Sequence, residues 1–135
     1  MSQPRIGIEG AIEILQNLDP ETRERIMGEI QAREPEVAAK IDAGLFTFEQ
    51  LVTLDDLALQ DLLMKEIPLE RWAVALRACS EGVRTKLFSN LSKRRAEDLV
   101  EAIRQSGPKP LSEVRRIQQE IALIARRFAQ NKTGV

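Results

Sequence analysis

Apolar residues recur at spacings of three and four along almost the whole chain, which is the pattern of amphipathic helices. Alternating β-branched residues, the signature of a strand, are missing. The sequence therefore predicts an all-α fold. Three short helices are expected first: one that ends near Asn17, one from Asp19-Pro20 to about Arg33, and one from Glu34-Pro35 to Gly44.

The spacing of apolar and cap residues in 49–135 predicts a series of short helices that follow one another closely. A leucine-rich pair comes first, with Thr53 or Asp55 as the cap between its members, and Gly107-Pro108 is a helix stop. The last helix is expected to cover about five turns, and the tail from Asn131 is expected to fray. The expected starts of the other helices are Pro68, Ser80, Ser92 and Ser112.

The segment 44–48 separates these two parts of the chain and consists of Gly44, Leu45, Phe46, Thr47 and Phe48. Two compatible interpretations stay open. The rings can anchor the next helix in the core, or the segment can be a hinge to which Gly44 contributes backbone freedom. The predicted domains are residues 1–43, the hinge 44–48, and residues 49–135.

Residues 1–43 look like one repeat of a helical solenoid, which cannot bury its apolar face alone. We therefore expect this face to be covered in part, either by residues 49–135 or by another chain, including a second copy in a homodimer. The residues of this partner or self-association face are Ile8, Ile12, Leu15, Ile26 and Ile30.

Composition argues against catalysis. The chain has no histidine, the commonest general base and metal ligand, and its single Cys79 excludes an internal disulfide and cysteine metal clusters. The adjacent carboxylates Asp55-Asp56 and Glu97-Asp98 diverge around their helices, which suits caps and surface groups better than a shared metal. We expect no enzyme activity, no cofactor and no metal. No apolar run is long enough to span a membrane, and the cysteine usage fits the cytoplasm.

Charge is distributed unevenly along the chain. Residues 1–48 carry a net charge of −4 and residues 49–135 one of +3, with the basic excess concentrated in residues 71–104. Nucleic-acid binding through Lys93-Arg94-Arg95 is disfavoured, because the net charge of the whole chain is −1 and no recognition motif is present.

A charged ridge is predicted within the basic part. Arg94, Asp98 and Glu101 fall on neighbouring positions of one helix, and Arg77 can lie near them. The ridge is either an ordinary solvated face or a surface that recognises the charges of a protein partner.

Five segments in order carry a family resemblance: IGIEGAIEILQNL (6–18), GLFTFEQLVTL (44–54), LFSNLSKRRAEDL (87–99), SGPKPLS (106–112) and QQEIALIARR (118–127). They look like the C-terminal part of the flagellar motor switch protein FliG family. The resemblance extends from about Ile6 to Phe128 and implies an armadillo-like helical segment, a hinge and a compact multi-helix torque domain.

The resemblance implies a rotor component for motility and chemotaxis. In that family a charged ridge faces the cytoplasmic loop of the stator and transmits torque, and the hinge lets the domain reorient when rotation changes sense. The stator-facing positions fall on Arg77, Arg94 and Glu101, with Lys109 as a substitute beside Pro110. Two family charges are missing, at Ala102 and Pro110, and Leu45 replaces the hinge methionine.

The partners implied by the resemblance are the switch protein FliM, full-length FliG and the stator loop, at the cytoplasmic face of the flagellar basal body. The family's larger N-terminal portions, including its Glu-His-Pro-Gln motif, have no counterpart in these residues. The start at Met1-Ser2-Gln3-Pro4 favours a short stand-alone relative, with an excised fragment as the other interpretation. The alternative function is a helical scaffold that self-associates or binds an armadillo-like partner without a torque role.

Overall fold

The computed structural model describes residues 7–133, with side chains described for residues 7–129. Every regular element in that range is helical, so the all-α prediction is confirmed. The chain forms two compact units, Met1–Phe46 and Thr47–Val135, and the boundary between them falls inside the segment 44–48.

The first unit contains three helices: α1 (Ile8–Gln16), α2 (Pro20–Arg33) and α3 (Pro35–Gly44). Their bounds match the predicted ones, and Asp19 caps α2 by accepting a hydrogen bond of 3.0 Å from the Thr22 N–H. The core of this unit is a small apolar cluster, because α2 contributes only partly buried residues to it. Its buried members are Ile12, Leu15, Ile41 and Leu45.

The second unit begins with a 3₁₀ turn (Phe48–Thr53) and α4 (Asp56–Asp61), which runs directly into a π-helical turn (Leu62–Glu66). Asp55, rather than Thr53, is the cap of α4, since its carboxylate accepts from the Ala58 N–H at 2.8 Å. The remaining elements are α5 (Leu69–Ala75), α6 (Glu81–Ser89), α7 (Lys93–Ser106) and α8 (Leu111–Thr133).

The start of α8 differs from the prediction. Ser112 was expected as its cap, but α8 begins at Leu111 and Ser112 lies inside the first turn. The carbonyl of Pro110 accepts the first helical hydrogen bonds, from the N–H groups of Glu113 and Val114 at 3.0 and 3.1 Å. The 23 residues of α8 make more than the five turns expected. The helix reaches Thr133, and the end of the predicted frayed tail, 134–135, lies outside the described residues.

Trp72 is the centre of the second core. Its side chain is fully buried, and the ring of Phe48 lies 6.3 Å away at an interplanar angle of 45°. The helix that carries Trp72, α5, packs against both α7 and α8. Phe48 is therefore a core anchor, as one interpretation of the sequence proposed. Leucines form much of the surrounding core: Leu51, Leu59, Leu62, Leu63, Leu76, Leu87 and Leu99.

Candidate functional site

The predicted charged ridge lies on the solvent side of α7. The buried residue of this helix is Leu99. A rotation of about 100° per residue places Asp98 about 100° and Arg94 about 140° away from it around the helix, and both are exposed. In the part of the chain that the structure describes, the side chains of Arg94 and Asp98 form no hydrogen bond or ion pair. Both charges are therefore directed at water in the isolated chain.

Glu101 continues the ridge but has intrahelical partners. Its carboxylate accepts hydrogen bonds from Nη2 of Arg104 at 2.9 Å and from Nε2 of Gln105 at 3.0 Å. These are exposed side chains three and four residues further along α7. Exposed pairs of this kind are weak, so a partner can displace them at small cost.

Arg77 lies at the other end of α7 from Arg94. Its Nη1 donates to the carbonyl of Ile103 at 3.1 Å and to Oγ of Ser106 at 3.2 Å. A cation is favourable there, because the last carbonyls of a helix carry partial negative charge. From Arg94 to Ile103 the helix rises about 13 Å, so Arg77 and Arg94 mark the two ends of the ridge.

Lys109 follows the end of α7. Gly107 terminates that helix with φ +67° and ψ −179°, a conformation that is essentially restricted to glycine. Nζ of Lys109 then lies 4.0 Å from Oε2 of Glu113, which is in the first turn of α8. Ala102 and Pro110, the two positions at which the resemblance implied further charges, carry none.

An apolar groove borders the ridge and was not foreseen from the sequence. Phe88, Ala96 and Val100 form its floor, and Val100 is 52% exposed. The charged side chains at its rim are Lys93, Glu97, Glu101 and Arg104. The available signal was Val100, an apolar residue between the charged positions 97, 98 and 101.

The segment 44–48 is divided between the two units. Leu45 is buried in the core of the first unit, whereas Phe48 is buried in the core of the second. Phe46 and Thr47, which lie between them, are half-buried. The two residues at the junction are thus the ones that belong to neither core.

Gly44 has a packing role. It ends α3, and its φ is not in the positive region; the positive-φ glycine in the described chain is Gly107. A Cβ at position 44 would overlap Cδ1 of Ile12. The glycine therefore permits close packing of α3 on α1.

Gln16 is the residue of this region that sequence reasoning missed. It is the last residue of α1 and is fully buried. Its Nε2 donates to the Phe46 carbonyl at 2.6 Å, and its Oε1 accepts from the Phe46 N–H at 2.7 Å. The available signal was its position: Gln16 follows Ile12 by four residues, so a polar side chain interrupts the apolar stripe.

The apolar face of the first unit is smaller than predicted. Ile12 and Leu15 are only 7% and 3% exposed, because they form the core of their own unit, and neither is available to a partner. Ile8, Ile26 and Ile30 are half-buried and pack against that core.

The described residues include one free thiol, Cys79. Burial is the main cause that raises the pKa of the Cys79 thiol, which disfavours the reactive thiolate. No cluster of three metal-ligating side chains occurs in the described part of the chain. Within those residues, no helix is both long and apolar enough to cross a membrane.

Comparison with known proteins gives a consistent result. Residues 28–133 match the FliG C-terminal domain. The flagellar motor switch protein FliG of Thermotoga maritima is 37% identical over 124 residues, and that of Pseudomonas aeruginosa is 34% identical over 125 residues. These matches cover 92% and 93% of this chain, which spans only 37% of the length of either relative.

Solved structures agree with the sequence matches. A crystal structure of FliG from H. pylori aligns with a TM-score of 0.71 at 26% identity, over 97% of this chain and 61% of that one. Full-length FliG from Aquifex aeolicus aligns with a TM-score of 0.59 at 32% identity, over 93% of this chain and 39% of that one. The family match covers most of the chain, and on that ground the chain belongs to the FliG C-terminal domain family.

Proposed function

We propose that this chain is a non-enzymatic motor-switch module of the bacterial flagellum that works through protein–protein contacts. The observation that carries the proposal is the ridge on α7, where Arg94, Asp98 and Glu101 present charges to solvent from a helix anchored by the buried Leu99. A helix holds such charges in more precise positions than a loop does, which suits a surface that a charged partner pushes against.

Electrostatics explains how such a ridge acts on a moving partner. Charges at a protein surface attract a complementary surface over about 8 Å at physiological salt, and they affect encounter rate and specificity more than affinity. Arg94 is available for a partner carboxylate at once, whereas Glu101 must exchange its contacts with Arg104 and Gln105. The ridge therefore suits contacts that form and break repeatedly.

The partners in this proposal are the stator's cytoplasmic loop for the ridge, and FliM or full-length FliG for the rest of the module. The location is the cytoplasmic face of the flagellar basal body. The segment 44–48 is the hinge about which residues 49–135 reorient when rotation changes sense. With Ala102 and Pro110 at two charge positions, the ridge is expected to transmit force through fewer ion pairs than in relatives that retain them.

A second candidate function is a scaffold that self-associates, or binds an armadillo-like partner, through the first unit. The observation in its favour is apolar exposure on α1, where Ile14 is 51% exposed and Ile8 is half-buried. This function requires no contribution from the ridge on α7.

Charge reversal on the ridge distinguishes the two candidates. Arg94→Glu, introduced into motile cells that depend on this chain, is expected to slow swimming while the protein remains folded and abundant. Arg115→Glu is the matched control, because Arg115 is an exposed arginine on α8 rather than α7. Swimming equal to the unmodified strain in both variants would contradict the motor proposal and favour the scaffold.

A further inference from the structure

The outer side of α4 and of the π-helical turn that follows it is apolar, although it faces solvent. Leu57 is 71% exposed and Met64 is 66% exposed, the two highest values among the large apolar side chains that the structure describes. Leu59, Leu62 and Leu63 are fully buried on the inner side of the same segment. A helix that is apolar on both sides is typically covered on both sides. We call Leu57 and Met64, which are seven residues or about two turns apart, the apolar knob.

The groove on the second unit offers a place for such a knob. It lies between α6 and α7, has Phe88, Ala96 and Val100 as its floor, and has a volume of about 380 Å³. This volume is in the range of pockets that receive small ligands, so a methionine side chain can enter it. An apolar patch that fits a pocket elsewhere on the same molecule leads to head-to-tail contacts between copies.

The charges beside the knob and beside the groove follow the same order along their helices. Asp61 precedes Lys65, and Oδ1 of the first lies 3.6 Å from Nζ of the second. Glu101 precedes Arg104, and Oε1 of the first lies 2.9 Å from Nη2 of the second. When two such helices pack antiparallel, the acid of each pair meets the base of the other. Parallel packing of the same two pairs would bring like charges together, so the charges favour the antiparallel arrangement.

This arrangement also brings the apolar side chains together. Met64 directly precedes Lys65, and Val100 directly precedes Glu101. When Lys65 of one copy faces Glu101 of another, Met64 therefore lies over the groove, within about one turn of Val100. The ion pairs within each helix are exposed and weak, so both can open at small cost to form the new contacts.

We propose that the second unit associates head-to-tail with further copies of this chain, with the knob of one copy in the groove of the next. Across the contact, Lys65 faces Glu101, Asp61 faces Arg104, and Met64 enters the groove. Because knob and groove are different surfaces, a pair of copies keeps one free knob and one free groove, and association continues unless a ring closes. This inference goes beyond the proposed function and does not depend on it.

The first test is sedimentation velocity of the full 135-residue chain over a wide range of concentrations. The unmodified chain should form larger species as its concentration rises. Met64→Glu places a charge on the knob and Val100→Glu one in the groove, and each is expected to weaken association about tenfold or more. Both positions are exposed, so the variants should remain folded, which circular dichroism checks. Ile14→Glu is the matched control, because Ile14 is 51% exposed on α1 and belongs to neither surface.

A mixture of the Met64→Glu and Val100→Glu chains tests the head-to-tail geometry. The first variant keeps an intact groove, and the second keeps an intact knob. The mixture is therefore expected to form one-to-one pairs that do not grow further, at concentrations where each variant alone is monomeric. Two variants that stay monomeric when mixed would overturn the contact between knob and groove.

Exchange of two charges tests the antiparallel pairing. Asp61→Arg alone and Arg104→Asp alone should each weaken association, because like charges then meet across the contact. A chain that carries both substitutions should recover most of the association. A double variant as weak as the single ones would overturn the pairing of Asp61 with Arg104.

Two results of the sedimentation experiment would overturn the whole proposal. One is an unmodified chain that remains monomeric at every concentration. The other is association that persists in Met64→Glu and in Val100→Glu but is lost in Ile14→Glu, since copies would then associate through the first unit instead.

Discussion

The side-chain amide of Gln16 pairs with both backbone polar groups of Phe46, thirty residues further along the chain. Only one orientation of the amide satisfies both contacts, because the nitrogen must face the carbonyl and the oxygen must face the N–H. The pairing attaches the extended residues that follow α3 to the end of α1. Phe46 is the last residue of the first unit.

Replacement of this amide should destabilise the first unit strongly. Gln16→Ala leaves a cavity and removes the partner of two backbone groups, so we expect a loss of about 2–4 kcal/mol in the free energy of unfolding. Urea unfolding followed by circular dichroism measures it. Asn17→Ala is the matched control, because Asn17 is exposed and its amide bonds only to the Glu13 carbonyl in its own helix. Equal losses in the two variants would contradict the importance of the Phe46 contact.

The two phenylalanines of the segment 44–48 should differ in their contribution to stability. Phe48 is 5% exposed and contacts Trp72, so Phe48→Ala is expected to cost about 3–5 kcal/mol. Phe46 is half-buried and outside both cores, so Phe46→Ala should cost less, about 1–2 kcal/mol. Thermal unfolding of both variants tests the difference, and a larger loss for Phe46→Ala would contradict the assignment of Phe48 as the anchor.

Replacement of glycine by alanine should have opposite effects on stability at Gly107 and at Gly28. Gly107 has φ +67°, so Gly107→Ala is expected to destabilise the chain by about 1–3 kcal/mol through backbone strain. Gly28 lies inside α2 with open space around it, so Gly28→Ala is expected to stabilise by about 0.5–1 kcal/mol through higher helix propensity. Chemical denaturation measures both signs. A stabilising Gly107→Ala would show that the end of α7 is not strained in the way described.

Substitutions at Arg77 and Arg94 should differ in their effect on stability, because Arg77 has partners in the fold and Arg94 faces solvent. Arg77→Ala removes the contacts with Ile103 and Ser106 and is expected to cost about 0.5–1.5 kcal/mol. Arg94→Glu should change stability by no more than about 0.5 kcal/mol, because Arg94 is an exposed side chain. Melting temperatures of the two variants check this. A large loss for Arg94→Glu would mean that its charge is engaged in the fold.

Acid should weaken the start of α2. Hydrogen bonds from the backbone N–H and hydroxyl of Thr22 lower the pKa of Asp19 below its ordinary value of 3.8. Because the folded-state pKa is the lower one, the stabilisation is complete above pH 3.8 and is lost as the pH falls through the folded-state value. The difference in melting temperature between the unmodified chain and Asp19→Asn should change in this acidic range. A constant difference would contradict the prediction.

Helix starts were predictable because they depend on local chemistry. Asp19, Ser80 and Ser92 all accept a hydrogen bond from a backbone N–H three residues later, as their positions indicated. Ser112 was an equally good local candidate, but the Pro110 carbonyl already supplies the first acceptor of α8. Local residue preferences alone could not predict that α8 would start from Pro110, two residues before Ser112.

The contacts at the junction were not predictable in the same way. Gln16 and Phe46 are far apart in the sequence, and nothing local indicates that the one will hold the other. The ridge was easier, because residues three and four apart in a helix must share a face. The contact of Arg77 with the end of α7 again depends on the packing of α5 against α7.

The most direct test of the motor proposal is affinity purification of the full 135-residue chain from its own cells, with identification of the proteins recovered. Arg94→Glu and Arg115→Glu should be purified in parallel. The proposal predicts that motor proteins such as FliM, full-length FliG or a stator protein accompany the chain, and that stator recovery falls with Arg94→Glu but not with Arg115→Glu. Recovery of only its own copies, or of proteins unrelated to motility, would contradict the proposal.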